Sequence, residues 1–205
     1  MMSRAMMAAA FACLLGAGLV RHASAEQVDA LTALDAPVEF RAEYSVSADD
    51  QTWRGTVVHA PGRERRDFAT ALGTQAVLLR RDIDQAAVLW PQRKWYLTTS
   101  LRALAGIFGG PDGIKLDRRR DGKETVGDER CMRWIADGGF SGRLWYSADG
   151  ILIRAAGVLR VKGHETSVVT QLARIRRIAV DPDEFELPLG YRGLPVSPAL
   201  LGEGD

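Results

Sequence analysis

The sequence predicts a mainly β protein built as a single folded domain. From Val38 onward, short segments in which apolar and polar residues alternate are separated by turn pairs such as Pro61-Gly62 and Asp149-Gly150. Alternation with a period of two residues is typical of strands that bury one face. Many short strands joined by tight turns indicate a sandwich or a barrel.

The individual elements are predicted from local pattern. A short helix is expected at Gln27–Ala36 and a second at Leu101–Phe108, where Thr99-Ser100 provides an N-cap. The charged segment Arg63–Thr70 is expected to be an edge or solvated strand, and Arg118–Arg120 is expected to form a charged turn. The strands predicted from alternation are Val38–Val46, Gln51–Ala60, Arg63–Thr70, Gln75–Arg81, Ala86–Trp90, Glu124–Asp137, Arg143–Ser147, Ile151–Val158 and Thr166–Val180.

The first 25 residues have the features of a secretory signal peptide. Arg4 gives a positive start, Ala5–Val20 is an unbroken run of apolar and small residues, and Ala23-Ser24-Ala25 offers the small residues that signal peptidase accepts. We therefore expect cleavage after Ala25 and a location in a bacterial periplasm. An uncleaved anchor or a lipoprotein signal on Cys13 is the alternative, but the run is shorter than the roughly 20 residues of a membrane-spanning helix.

The composition of residues 26–205 fits one globular domain and excludes several classes of protein. Loss of the signal leaves a net charge of about −1, which gives no bias towards nucleic acid or anionic lipid. No later stretch is long and apolar enough to span a bilayer. Cys131 is the only cysteine of this part, so an intramolecular disulfide is impossible. We expect Cys131 to be a buried small side chain, with a reactive thiol as the alternative.

No constellation of catalytic or metal-binding residues is recognisable. His59 and His164 are far apart in sequence and belong to no metal-binding motif, so both are expected to be surface or strand residues. Glycine-rich phosphate loops are absent as well. The sequence therefore predicts no catalytic residue, no metal site and no cofactor, and an unrecognised hydrolase is left as a remote alternative.

Four segments in a fixed order carry a resemblance to a known family. They are AVLWPQRKWYLTTS, GKETVGDERCMRWIAD, GRLWYSADGILIRA and FELPLGY, which begin at residues 87, 122, 142 and 185. In this order the chain resembles the LolA/LolB-like superfamily of periplasmic lipoprotein-sorting and lipid-binding proteins, and most of all an uncharacterised branch of it. The resemblance covers roughly residues 38–195, and each segment alone is weakly specific.

The resemblance implies a half-open antiparallel β-barrel around an apolar cavity, with one or two short covering helices. We expect the domain to span residues 26–195 and residues 196–205 to form a flexible tail. The function implied is non-catalytic binding of lipid, lipoprotein acyl chains or another hydrophobic ligand. The partners expected are that ligand or a lipidated protein, with an envelope protein as a further partner, and the protein is expected to be monomeric. The alternative is an envelope interaction module whose barrel is filled by its own side chains.

Alternation and helix periodicity select the side chains expected to line such a cavity. Burying an acyl methylene in apolar surroundings is worth about 0.8 kcal/mol, so an apolar trough suits acyl chains. The same residues could instead fill the core. Alternation predicts on which face of the sheet a side chain lies, but it does not predict whether that face encloses an empty cavity. The candidate lining residues are Phe40, Tyr44, Trp53, Val57, Leu78, Leu89, Trp95, Leu101, Leu104 and Phe108.

Overall fold

The computed structural model describes residues 26–29, 35–70, 73–101, 103, 115–161 and 163–194. Between the strands lie short 3₁₀ turns at Arg81–Ile83, Pro91–Arg93 and Pro182–Phe185. The strands are β1 (Glu26–Asp29), β2 (Phe40–Ala48), β3 (Gln51–Ala60), β4 (Arg63–Thr70), β5 (Gly73–Arg80), β6 (Gln85–Trp90), β7 (Trp95–Thr99), β8 (Lys115–Val126), β9 (Glu129–Gly138), β10 (Phe140–Ser147), β11 (Leu152–Val161), β12 (His164–Arg176) and β13 (Arg192–Gly193).

All of these strands belong to one sheet that does not close on itself. Their order is β1-β8-β9-β10-β11-β12-β2-β3-β4-β5-β6-β7-β13, and β1 and β13 form its two edges. Every neighbouring pair is antiparallel except β13 with β7. The prediction of a mainly β, half-open antiparallel fold is therefore confirmed.

The two faces of the sheet differ in what covers them. We call inner the face that carries Phe40, Tyr44 and Trp134, which belong to one large core cluster. Along β2 every second residue is buried, and Val46 reaches 0% exposure, as alternation predicts. We call the opposite face outer.

A segment after β12 covers part of the outer face. We name residues 177–194 the C-terminal strap. Within it Phe185 packs with Val58 and Val180 in a small cluster. Further along, Leu187 and Tyr191 pack against the buried outer-face side chains of β5 and β6. The strap thereby removes apolar surface of β3, β5 and β6 from water.

The expectation that Arg63–Thr70 is an edge or solvated strand was wrong. This segment, β4, pairs with β3 on one side and with β5 on the other. Its inward residues Glu64 and Arg66 are 1% and 3% exposed. A buried charge is tolerated when an opposite charge compensates it. Here Arg66 Nε donates to Glu64 Oε1 at 2.8 Å, which explains how a charged strand can lie inside the sheet.

Two further local predictions were wrong. Arg118–Arg120 lies within strand β8 and not in a turn, and Arg118 is only 2% exposed. Residues 27–29 of the predicted first helix belong to β1, which pairs with β8, with Val28 opposite Leu116. In both cases pairing with a neighbouring strand overrides the local pattern.

The predicted helix at Leu101–Phe108 begins where its cap was expected. Leu101 and Ala103 are helical, and the amide N–H of Ala103 donates to Ser100 Oγ at 2.9 Å. Leu104 and Phe108 lie outside the described residues, as does the predicted tail at 196–205. No helix in the described ranges is long and apolar enough to cross a membrane.

Candidate functional site

The inner face of the sheet brings most of the predicted lining residues together. Phe40, Tyr44 and Val57 lie in the core cluster, and Trp53 packs against it. Leu101, at the start of the helix, also belongs to this cluster and is 6% exposed.

Cross-strand register places tryptophan side chains at one end of the inner face. Val88 packs against the core cluster, and Trp90, two residues further along β6, shares its face. Trp95 lies directly opposite Trp90 on β7, so it too is on the inner face. Trp95 is 37% exposed, and Arg93 stacks on its ring at 5.4 Å.

Two of the predicted lining residues lie on the outer face. Leu78 and Leu89 form a separate buried cluster with Ala76 and Ala87, packed against Leu187 and Tyr191 of the C-terminal strap. Their burial, 2% and 0% exposed, comes from the strap. On the inner face the same strands present Val77 and Val88 instead.

Exposure divides the inner face into a closed and an accessible part. Phe40, Tyr44 and Val57 are 1–3% exposed, so a ligand could touch them only after displacing part of the protein. Trp53, Trp90 and Trp95 retain exposed surface. These three aromatic side chains are therefore inner-face groups that a ligand can reach directly.

A buried network of charged groups spans β3 and β4 at the closed part. His59 Nδ1 lies 3.2 Å from Glu64 Oε2, and His59 Nε2 lies 3.0 Å from the carbonyl oxygen of Ala36. The imidazole ring also stacks on Phe40, with ring centroids 4.9 Å apart. Arg66 lies over the ring of Tyr44 at 5.3 Å, so both ends of the network rest on aromatic side chains.

The carboxyl of Glu64 is held in its charged form. Complete burial acts to raise its pKa, because a buried charge loses its hydration. The nearby positive charge of Arg66 and the hydrogen bond from His59 outweigh that effect, with smaller help from Arg81. The pKa is lowered from 4.5 to about 2.

Sequence reasoning missed the pairing of His59 with Glu64, although a signal for it was present. Both residues stand two positions from the Pro61-Gly62 turn, so a tight hairpin places them opposite each other. Gly62, with φ +78, supplies the left-handed conformation that this turn needs. Recognising the hairpin register would have brought the two side chains together.

The His59–Glu64 pair is unsuited to acid–base catalysis. A general base must reach a proton of the substrate, but both side chains are 0% exposed. The ring has no nitrogen left for a substrate, because Nδ1 faces Glu64 and Nε2 faces Ala36. The described residues also contain no group of three or more His, Cys, Asp and Glu side chains that could hold a metal ion.

Cys131 is the buried side chain that the sequence predicts. It is 3% exposed, and burial is the main reason why its pKa is raised from 9.0 to about 11. The nearby acidic residue Glu129 acts in the same direction. The thiol is therefore protonated at neutral pH, a state that is poorly nucleophilic.

Comparison with known proteins gives similarity of fold. No family model matches the chain, and no curated protein matches it either. An uncharacterised conserved protein from Thermus thermophilus matches with a TM-score of 0.55 and 11% sequence identity over 77% of this chain and 90% of that one. MucB, a protein also solved with MucA from Pseudomonas aeruginosa, matches with a TM-score of 0.50 and 14% identity over 77% of this chain.

This chain spans 60% of the length of MucB. At such low identity the two likenesses establish a shared fold and leave function open. An outer membrane lipoprotein-sorting protein domain from Vibrio parahaemolyticus is also similar, with a TM-score of 0.40 and 12% identity over 72% of this chain and 89% of that domain.

Proposed function

We propose that this chain is a non-catalytic binding protein of the bacterial cell envelope that takes a hydrophobic ligand on its inner face. The ligand class is a lipid or the acyl chains of a lipoprotein. The mechanism is reversible sequestration, in which apolar surface of the ligand leaves water and is covered by protein.

The observation that carries this proposal is the difference between the two faces at β5–β7. The strap covers the apolar side chains of the outer face there, including Leu78 and Leu89. On the inner face Trp95 stays 37% exposed, next to the part-exposed Trp90. Aromatic side chains left open on a curved apolar face are typical of a ligand-binding surface.

The proposed location is the periplasm, and the proposed mature chain starts after Ala25. Support comes from the N-terminal pattern, in which a positive start and an unbroken apolar run precede Ala23-Ser24-Ala25. A cut there would leave the pairing of β1 with β8 intact. The folded domain is proposed to span residues 26–195.

A second candidate is an interaction module of the envelope with a filled barrel. The burial of Phe40, Tyr44 and Val57 favours it, since these side chains already pack within the protein. In that case the protein would act through its surface and would bind no ligand between its strands.

Mass spectrometry of co-purified lipid separates the two candidates. Residues 26–205 would be purified from a periplasm, extracted with organic solvent and analysed for acyl-containing species. Stoichiometric lipid supports the binding protein and names its ligand class. Protein that carries no lipid and takes up no fluorescent fatty acid contradicts it and favours the interaction module, which pull-down from envelope extracts would then test.

A further inference from the structure

We propose that the β8–β9 end of the inner face is a subsite for the anionic head group of an amphiphilic ligand. The proposal rests on the proposed function for the apolar part of that ligand, and adds the chemistry of its polar end. The head group would carry a phosphate or a carboxylate.

Cationic side chains follow the inner face along β8 and β9. Arg118 and Arg120 both stack on Trp134, at 5.0 and 5.3 Å from the ring centroid, so they share its face. Lys123 is the cross-strand partner of Met132, which lies two residues before Trp134. By the same register Arg130, opposite Thr125, also faces inward.

Three of these cations are not neutralised by an ion pair within the described residues. Arg120, Lys123 and Arg130 have no ion pair with any residue in the described part of the chain, and all three are exposed. Elsewhere on the sheet most arginines pair with carboxylates, as Arg160 does with Glu165 at 2.8 Å. The inner end of β8–β9 therefore carries uncompensated positive charge.

An open pocket lies beside these side chains. Its volume is about 580 Å³, within the range of roughly 300–1,000 Å³ that is typical of small-molecule sites. Met132 gives the pocket an apolar side chain next to its charged rim. The lining residues are Lys123, Glu124, Thr125, Arg130, Cys131, Met132 and Ala148.

The carboxylate that lines the pocket is already engaged. Trp145 Nε1 and Arg133 Nη1 each donate to Glu124 Oε2 at 2.9 Å. These hydrogen bonds lower the pKa of Glu124 and leave its charge compensated by Arg133. Glu124 therefore does not cancel the charge of Lys123 and Arg130, and the pocket favours an anion.

The indole N–H of Trp134 is a buried hydrogen-bond donor without an acceptor among the described residues. Trp134 occupies the next inner-face position of β9 after Met132. Trp134 is 1% exposed, and its indole Nε1 has no hydrogen-bond acceptor among the described residues. A buried unsatisfied donor costs stability, and native proteins keep few of them. Because the ring is buried, an oxygen of a bound ligand would satisfy this donor only after displacing the side chains that cover it. Trp134 thus connects the charged pocket to the apolar inner face, as an amphiphile requires.

The test compares two amphiphiles that differ in head-group charge. Dodecyl phosphate is anionic, octaethylene glycol dodecyl ether is neutral, and inorganic phosphate is an anion without a chain. Their dissociation constants would be measured by calorimetry on residues 26–205, on the variant Arg120→Gln/Arg130→Gln and on the matched control Arg119→Gln/Arg143→Gln. The control removes two exposed cations from the outer face, where both lie opposite Ile135. Thermal unfolding would confirm that both variants fold.

The outcomes distinguish this proposal from the proposed function. We expect wild type and control to bind dodecyl phosphate about tenfold more tightly than the ether, a difference of about 1.4 kcal/mol, and the inner-face variant to lose that preference. Equal affinity for the two amphiphiles, or equal losses of affinity in both variants, would overturn the subsite without contradicting the proposed binding of a hydrophobic ligand.

Binding of inorganic phosphate that requires Arg120 and Arg130, with no binding of either amphiphile, would support the anion site and contradict the proposed function. Binding of none of the three probes contradicts both.

Discussion

Glu64 and His59 face each other across the β3–β4 hairpin, with Oε2 3.2 Å from Nδ1, and neither side chain is exposed to solvent. Each carries a second contact, Glu64 to Arg66 at 2.8 Å and His59 to the carbonyl of Ala36 at 3.0 Å. The network thus ties two central strands to the segment before β2. Because burial of a charge is costly, such a network stabilises the fold only while all of its members are present.

Replacing Glu64 by Gln tests the energetic weight of this network. The change keeps the shape of the side chain and removes the charge that compensates Arg66. We expect the free energy of unfolding to fall by about 3 kcal/mol at neutral pH, the cost of breaking a buried charge pair. Urea denaturation would measure it.

The same network predicts how stability depends on pH. The pKa of Glu64 is lowered on folding from 4.5 to about 2. Its contribution is therefore complete above pH 4.5 and is lost as the pH falls towards 2. The difference in stability between wild type and Glu64→Gln should shrink over that interval. A difference that stays constant would contradict the lowered pKa.

An exposed ion pair provides the control for Glu64→Gln. Glu165 pairs with Arg160 at 2.8 Å, but their side chains are 64% and 49% exposed. Since solvent screens such pairs, Glu165→Gln should change the stability by less than about 0.5 kcal/mol. An equal loss of stability in both variants would indicate that burial does not determine how much an ion pair contributes to the free energy of unfolding.

The strands differ in how well the sequence pattern predicts which of their side chains are buried. Alternation correctly predicts β2, where polar and apolar residues take turns, and the Asp149-Gly150 turn correctly predicts the β10–β11 hairpin. In β5 the residues Ala76–Leu79 are apolar without interruption, because both faces are buried. A continuous apolar run does not indicate which of its side chains lie on the inner face and which on the outer face.

The alternation pattern alone assigned Leu78 and Leu89 to the cavity lining, whereas both lie on the outer face. The C-terminal strap explains this difference. What covers their face is a segment about a hundred residues later in the chain, and no local pattern encodes that contact. The charged strand β4 is a parallel case. Its burial depends on the pairing of Glu64 with Arg66, which appears only once the side chains are placed on a common face.

Replacing Phe185 by Ala tests whether the strap stabilises the sheet. Phe185 is 2% exposed and packs with Val58 and Val180, so its removal leaves a cavity. We expect a loss of about 3 kcal/mol in the free energy of unfolding. Leu189, in the same strap, is 101% exposed, and Leu189→Ala should leave stability within about 0.5 kcal/mol of wild type. Losses of similar size would show that the packing of Phe185 is not the cause.

Alkylation of Cys131 tests the burial of its side chain. The pKa of the thiol is raised to about 11, mainly by burial, so little thiolate forms at neutral pH. Residues 26–205 should react with a thiol reagent slowly when folded and fast in denaturant, with a folded rate that rises steeply with pH. Fast labelling of the folded protein at neutral pH would contradict the buried position.

Replacing Trp95 by Ala tests the accessible part of the inner face as a ligand surface. Trp95 is 37% exposed, so the variant should lose about 2 kcal/mol of stability with its partly buried ring and still fold, which thermal unfolding would confirm. If a hydrophobic ligand packs on this ring, its truncation should weaken binding of octaethylene glycol dodecyl ether about tenfold, since large aromatic side chains dominate binding surfaces. Ile83, which is 56% exposed in the 3₁₀ turn between β5 and β6, is the control, and Ile83→Ala should bind like wild type. Unchanged affinity in Trp95→Ala, or an equal loss in Ile83→Ala, would place the ligand elsewhere. The proposed binding depends on the inner-face side chains that a ligand can reach directly, which are Trp53, Trp90 and Trp95.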